Sequence, residues 1–357
     1  MKICFFANGG SIHTIRWCKH FEKLGHEIHL ISFEKVILPN VSVHFVDIGR
    51  VNVMGGNWKV LLKFRKIRKI LYAVKPDIFH ALYATSYGIT GALCDYHPFI
   101  ITALGTDVLI SPKKSLVYRI LLRYAFSKAQ WITAMSNFME REIVYLNVDA
   151  KKISVVPFGI DPEIFNDGNR NLPDNKFVIS STRNFESVYN ISNLIEAVAK
   201  VRNQIPNLHL NLIGSGSLKE ELEEQILKLR LVDQVSFLGK LSQPEIAKVF
   251  DQTHVFVSVS LSDGNNISLN EAMACGVYCI ATDIPANTQW INNGENGLLV
   301  EVNDVNSLTE KLIECYRNYD QLQNKSVPLN KKIIDDRAIW SVNMKRVEDK
   351  YKSLIKK

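Results

Sequence analysis

No stretch of this 357-residue sequence approaches the roughly 18 uninterrupted apolar residues of a membrane span. The opening MKICFFANGG also carries too short an apolar run for a secretory signal, so translocation is not expected. The expectation is a cytoplasmic protein, with a peripheral place at the inner face of a membrane left open. Cysteine is sparse: Cys4, Cys18, Cys94, Cys275, Cys279 and Cys315 include no metal-type pair, and the helix-ending Gly276 lies between Cys275 and Cys279. Reduced thiols fit this better than a metal site or a disulfide framework. Neither glycine loop completes a dinucleotide fingerprint. GGS (9–11) finds no third glycine in Ile12 to Thr14, and Lys219 stands where IGSGS (213–217) would need one. A redox cofactor is therefore disfavoured. Low-complexity tracts and internal repeats are lacking too.

What is present is an ordinary globular composition, 46% hydrophobic and 22% charged, in a chain long enough for two domains. Its +7 charge is uneven: residues 1–160 hold 21 Lys+Arg against 10 Asp+Glu, and residues 161–357 hold 22 against 26. A basic first half suits an anionic membrane or a phosphorylated acceptor. Nucleic acid is not expected, because no stacking-aromatic motif accompanies the charge. The segment NWKVLLKFRKIRKILYAVK (57–75) has seven basic residues and no acid. Its Val60, Phe64, Ile67, Leu71 and Val74 stripe reads as the core side of a surface helix, whose basic side could meet anionic lipid.

Along the chain, KICFFAN reads as a strand, then IHTIRWCKHFEKLG as a helix with Ile15, Cys18, Phe21 and Leu24 on one face, then HEIHLIS as a strand. Strand-like VSVHFVD, DIFHAL, FIITAL and WITAM follow. Residues 161–174, rich in Gly, Pro, Asn and Asp, read as a linker. A second alternation then runs FVISSTR, LHLNLIGSGS, VSFLG, HVFVSVS and VYCIATD, with helices between. The predicted class is α/β: two Rossmann-like domains facing across a cleft, an N-terminal one over 1–160 and a C-terminal one over 175–334. A closing helix of about 337–357 is expected to cross back to the first.

The densest chemistry lies in LSDGNNISLNEAMACGV (261–277), where Asp263 and Glu271 flank a helix start near Asn266. After a parallel strand, such a helix start attracts anions. Arg183, just after FVISSTR, is placed to hold a diphosphate through paired hydrogen bonds, or else to make a surface ion pair. Gly9, Gly10 and Gly214 are candidate phosphate-loop positions, or plain turns. His13 and Arg16, a turn apart, are candidates to reach a ligand.

In this order the motifs resemble the retaining nucleotide-sugar glycosyltransferases of the GT-B fold, the group 1 or family-four kind. The resemblance rests on GGSIHTIRW, KPDIFHAL, ITALGTDVL, WITAMSNFM, ISVVPFGID, STRNFESVYNISNLIEAV, LIGSGSLKEELE and above all SDGNNISLNEAMACGVYCIATDIPANTQWI with NGLLVEVND. It covers nearly the whole chain. It implies that Glu271 holds the ribose hydroxyls, Asp263 lies near the transferred sugar, Arg183 and the amides of Asn266, Ile267 and Ser268 receive the diphosphate, and the first domain binds the acceptor through His13 and Arg16. Three positions depart from the pattern. Asp263 replaces the usual Glu, Val188 or Tyr189 stands where a lysine is usual, and Leu104 replaces a frequent histidine, with Asp107 as its possible stand-in. The resemblance implies as partners a nucleotide-sugar donor, UDP-linked in kind, and a glycan or lipid-linked acceptor. No cofactor and no metal are implied, and no Asp-x-Asp pair is present. A nucleotide-sugar epimerase or hydrolase of the same fold, or a non-catalytic nucleotide-sugar-binding partner, remain the alternatives.

Overall fold

Runs of β-branched and aromatic residues form the sheets, because strands buried on both faces need apolar side chains in both directions. The structure, a computed structural model, describes residues 1–49, 58–168 and 170–356. The parts of the expected first domain, basic segment, linker and closing helix that fall on 50–57, 169 and 357 lie outside them. The chain divides into two units, Met1–Val156 with Lys345–Lys357, and Pro157–Met344.

In the first unit the described strands are β1 (Lys2–Phe6), β2 (Glu27–Ser32), β3 (Val41–Phe45), β4 (Ile78–Leu82), β5 (Phe99–Thr102), β6 (Trp131–Ala134) and β7 (Ile153–Val155). All pair parallel, in the order β3-β2-β1-β4-β5-β6-β7. Phe5, Phe6, Phe79 and Phe99 are fully buried on these strands, each contributing about 1.5–3 kcal/mol. The helix Ile12–Lys23 buries Thr14, Trp17, Cys18 and Phe21. The expected stripe is thus corrected at its ends: Ile15 is only half-buried, and Leu24, past the helix, is exposed.

The second unit holds β8 (Phe177–Thr182), β9 (Leu208–Ile213), β10 (Val235–Gly239), β11 (Val255–Ser258), β12 (Tyr278–Thr282) and β13 (Leu298–Val300). They are again parallel, in the order β10-β9-β8-β11-β12-β13. Separate apolar clusters form its core, one gathering Ile179, Leu194, Leu210 and Val257, the other Phe250, Phe256, Leu269 and Trp290. The strand order reverses at β1/β4 in one unit and at β8/β11 in the other. Such reversals open a crevice at the carboxyl ends of the strands, where ligands of this architecture bind.

The segment expected as a linker belongs to the second unit. Ile160 bridges to Ile339, Phe165 is buried, and Arg170 donates to the carbonyls of Phe250 and Thr253 at 2.9 and 2.8 Å. A Cβ on Gly159 would lie 2.3 Å from the Trp340 nitrogen, so only glycine lets these backbones meet. The last helix, Trp340–Ile355, passes from the second unit to the first at Lys345. In the first unit its Tyr351 hydroxyl bonds His80 of β4, and Glu348 accepts from His26 at 3.1 Å.

Candidate active site

The carboxyl ends of β8 and β11 bring together residues that are 80 positions apart in sequence. Arg183 follows β8 and is 9% exposed. Its Nε donates to Ser258 Oγ at 3.2 Å, at the end of β11. Its Nη2 lies 3.0 Å from Asp263 Oδ2 without the alignment of a hydrogen bond. Its guanidinium sits over the Tyr189 ring, 5.3 Å from the centroid. Tyr189 therefore occupies the flank of Arg183, adding a stacking surface where the family pattern would add a cation. Burial pushes the Tyr189 phenol above its ordinary range, so it stays neutral. The short turn Ser187–Tyr189 is fastened to the loop after β11 by the Leu261 amide, which donates to the Val188 carbonyl at 2.8 Å.

The helix Ile267–Ala274 begins where the sequence placed it, because Asn266 caps it. The fully buried Asn266 Oδ1 accepts from the Leu269 amide at 3.0 Å, and its Nδ2 donates to Ser258 Oγ and Asn287 Oδ1. Ser268 Oγ donates to the Thr182 carbonyl at 3.0 Å, tying the helix start to β8. The Ile267 amide donates to the Asn265 carbonyl at 3.0 Å. Glu271, one turn on, is 6% exposed and accepts from Gln243 Nε2 at 3.4 Å. Around this edge Ser181, Thr182, Asn265 and Asn270 each keep a buried polar atom with no hydrogen-bond partner among the described residues, while Arg183 Nη2 and Asp263 Oδ2 have each other at 3.0 Å. Orphaned buried groups are rare in folded proteins, and a cluster of them marks a place built for a polar ligand.

Gly214 has a structural reason independent of any ligand. With φ +147° and a would-be Cβ 2.2 Å from the Arg183 carbonyl oxygen, it lets the loop after β9 press against the chain that carries Arg183. Glu186 holds the same loop by accepting from the Ser217 amide and hydroxyl at 2.9 and 2.7 Å.

Gly9, Gly10 and Asp107 all belong to the first unit. Gly9 and Gly10 do follow β1, yet a Cβ on Gly10 would lie 2.4 Å from Glu34 Oε2, and the Gly9 amide is already given to Ser32 Oγ at 3.0 Å. The atoms nearest both would-be Cβ positions belong to side chains, Val36 Cγ2 at Gly9 and Glu34 Oε2 at Gly10, so the glycines make room for side chains that fold over this loop. Asp107 is fully buried and accepts from the amides of Ala84 at 2.6 Å, Gly105 at 2.8 Å and Leu104 at 3.2 Å. It has no exposed surface with which to touch sugar or acceptor; it positions the loops after β4 and β5. Tyr83 on one of those loops has φ +93°, a strained backbone for a bulky residue, and its hydroxyl meets Thr106 Oγ1 at 2.8 Å. His13 and Arg16 are half-buried on the helix after β1. Burial, seconded by Arg16, brings the His13 imidazole down to about 4, so it is neutral at pH 7.

Sequence reasoning passed over Ser258, Asn287 and Gln243, which anchor the named residues, and it did not foresee the stacking of Tyr189. Ser258 alone had a signal, a hydroxyl closing an apolar strand.

Comparison with known proteins agrees with this architecture. Residues 163–331 match the family "Glycosyl transferases group 1", and residues 2–136 match "Glycosyl transferase 4-like". The chain is 25% identical over 348 residues to N-acetyl-alpha-D-glucosaminyl L-malate synthase of Bacillus anthracis, covering 91% of this chain and 90% of that one. It is 26% identical over 353 residues to a Campylobacter jejuni N-acetylgalactosaminyltransferase named for a glycan acceptor linked to diphospho-undecaprenol, covering 90% and 93%. Its fold matches that of Anabaena HepE in complex with UDP, at TM-score 0.79 and 17% identity over 99% of this chain and 100% of that one. It also matches sucrose-phosphate synthase of Thermosynechococcus elongatus, at TM-score 0.84 and 16% identity over 99% of each. With matches to both halves, similarity along the full length and two parallel Rossmann-like sheets of the GT-B type, the chain belongs to the group 1 glycosyltransferases.

Proposed function

We propose that this glycosyltransferase moves a sugar from a UDP-sugar to a hydroxyl of a glycan or lipid-linked acceptor in cell-surface polysaccharide synthesis, with retention at the anomeric carbon. The observation that carries this is the group at the β8/β11 edge: Arg183, Asp263 and a capped helix start, with buried Glu271 one turn further in. In this reading the diphosphate replaces Asp263 on Arg183 and faces the amino end of the helix, whose dipole favours negative charge. Glu271 accepts from the ribose hydroxyls, and Asp263 turns to the sugar. As the glycosidic bond to the diphosphate breaks, charge grows on the leaving oxygen, and Arg183 and the helix terminus stabilise it. That oxygen takes the acceptor's proton, which accounts for a site whose carboxylates already have other tasks. Neither metal nor cofactor has a part in this scheme. UDP complexes of proteins with this fold, and relatives named for undecaprenol-linked acceptors, support the donor and acceptor classes.

The test is a panel of nucleotide sugars with the purified protein, measuring nucleotide release with and without membrane extract. Release that needs both one donor and the extract is expected. Product formed without any acceptor would mean an epimerase or hydrolase, and no release with any donor would refute glycosyl transfer.

A further inference from the structure

The helix Leu116–Lys128 turns an apolar face outward. Leu122, Ala125 and Phe126 pack inward, while on the opposite side Leu116, Val117, Ile120 and Tyr124 are exposed by 70, 54, 57 and 38%. At 3.6 residues per turn these four fall within an arc of about 100°. The outer side of a surface helix is ordinarily polar, so an apolar stripe there lacks a partner. Its edges are cationic: Arg119 and Arg123 border it, and Lys113 and Lys114 precede it. Ser111 to Lys128 contains no Asp or Glu. Lys113 pairs with Glu142 at 3.0 Å, and Lys114, Arg119 and Arg123 are exposed. Beneath it lies the helix Ile89–Leu93, against which the turn Trp58–Lys63 and the basic helix Phe64–Val74 also pack. Arg65, Lys66, Arg68 and Lys69 are exposed there, so one face of the unit gathers both basic helices. Over its whole sequence this unit holds 27 Lys+Arg against 12 Asp+Glu, a net charge of +15.

We propose that the outer face of Leu116–Lys128 is a docking surface for an anionic lipid bilayer. The stripe enters the boundary between headgroups and acyl chains, while Arg119 and Arg123 reach up to lipid phosphates, the arrangement of an interfacial helix. Charge decides among occupants. Two copies meeting on this face would bring their arginines together, and a nucleic acid would meet Leu, Val and Ile where it needs stacking partners. The surface gives the proposed lipid-linked acceptor a reason to be near, and it stands on observations separate from those at the β8/β11 edge.

The test is co-sedimentation of the full chain, without donor, with phosphatidylcholine vesicles and with vesicles that also contain phosphatidylglycerol. Binding to the anionic vesicles alone, weakened by salt, is expected. Arg119→Gln with Arg123→Gln should weaken it about 30-fold, since each lost cation costs about fivefold. Leu116→Ser with Ile120→Ser should weaken it at least as much, with thermal melting unchanged because both side chains are exposed. Ile120→Cys carrying a polarity-sensitive dye should shift its emission to the blue on anionic vesicles; the six native cysteines are buried and leave the label selective. No binding to anionic vesicles, unaltered binding of both double variants, or a dimer lost in the serine variant would overturn the proposal. Loss of binding only on neutralising Lys66, Arg68 and Lys69 would overturn it in favour of the neighbouring helix. Vesicle binding by a protein that releases no nucleotide would leave this surface standing and sink the transferase reading.

Discussion

Replacing Asp263 by Asn tests how the β8/β11 site changes between its empty and occupied forms. Asp263 Oδ2 lies 3.0 Å from Arg183 Nη2. At an effective dielectric of about 20 the gross attraction is about 5 kcal/mol. Drawing both groups out of water offsets most of it, and the Asp263 side chain remains 17% exposed. Arg183 also keeps Ser258 and the Tyr189 ring in the variant. A net loss of about 1–2 kcal/mol is expected, which lowers the melting temperature by about 2–8 °C in a unit of this size. The effect on ligands runs the other way. If the diphosphate must displace Asp263 from Arg183, the variant frees the cation, and UDP binds up to about tenfold more tightly as about 1.4 kcal/mol of competition disappears. Turnover should nevertheless fall, because the carboxylate near the sugar is gone, and Asp263→Glu should keep or raise it. Calorimetric titration with UDP, melting curves and kcat measured on the three proteins separate these effects. Weaker UDP binding in Asp263→Asn, in parallel with Arg183→Ala, would refute the displacement and make Asp263 a supporting member of the nucleotide site.

Other outcomes are expected alongside. Glu271→Gln should raise the donor KM by about 10- to 100-fold with a smaller change in kcat, since it loses a charged hydrogen bond to the ribose; unchanged steady-state kinetics would remove Glu271 from the site. Gly214→Ala should cost about 2–4 kcal/mol and impair UDP binding, because its Cβ would collide with the Arg183 carbonyl; denaturant unfolding with a UDP titration measures both. In the last helix, Glu348 is held down to about 2, first by Lys352 and then by Lys345 and His26. Its ion pairs stabilise the fold at neutral pH, and that contribution is lost as pH falls from about 4.5 to about 2. Glu348→Gln should therefore melt below wild type at pH 7, by about 1–2 kcal/mol after solvent screening, and the difference should close across that acid range.

Much of the fold was legible because most strands are apolar runs bounded by turn residues. The exceptions are instructive. β7 and β13 have three residues each, too few to set a period, and the helix Tyr319–Arg337 contains Pro328, a residue that ordinarily breaks a helix. Segment 161–174 reads as a linker since Gly, Pro, Asn and Asp signal turns, yet composition says nothing of what a turn-rich chain packs against. Asp107 shows the same limit at the site level. A lone acid in a loop invites a chemical role, and only the three converging amides reveal that its carboxylate is already engaged.

Local spacing and composition are enough to give the alternation of strands and helices, the asymmetry of charge, and an Asp263 that precedes a helix start capped by Asn266. The tertiary structure decided what each polar group faces. Arg183 and Asp263 become an ion pair only because β8 and β11 are neighbours at a reversal of strand order. Gly10 meets the Glu34 carboxylate only because the loop after β2 folds against the loop after β1. The stripe on Leu116–Lys128 could pass for core in the sequence, where an apolar residue reads the same inward or outward; the packing of Leu122, Ala125 and Phe126 on the opposite side leaves it at the surface.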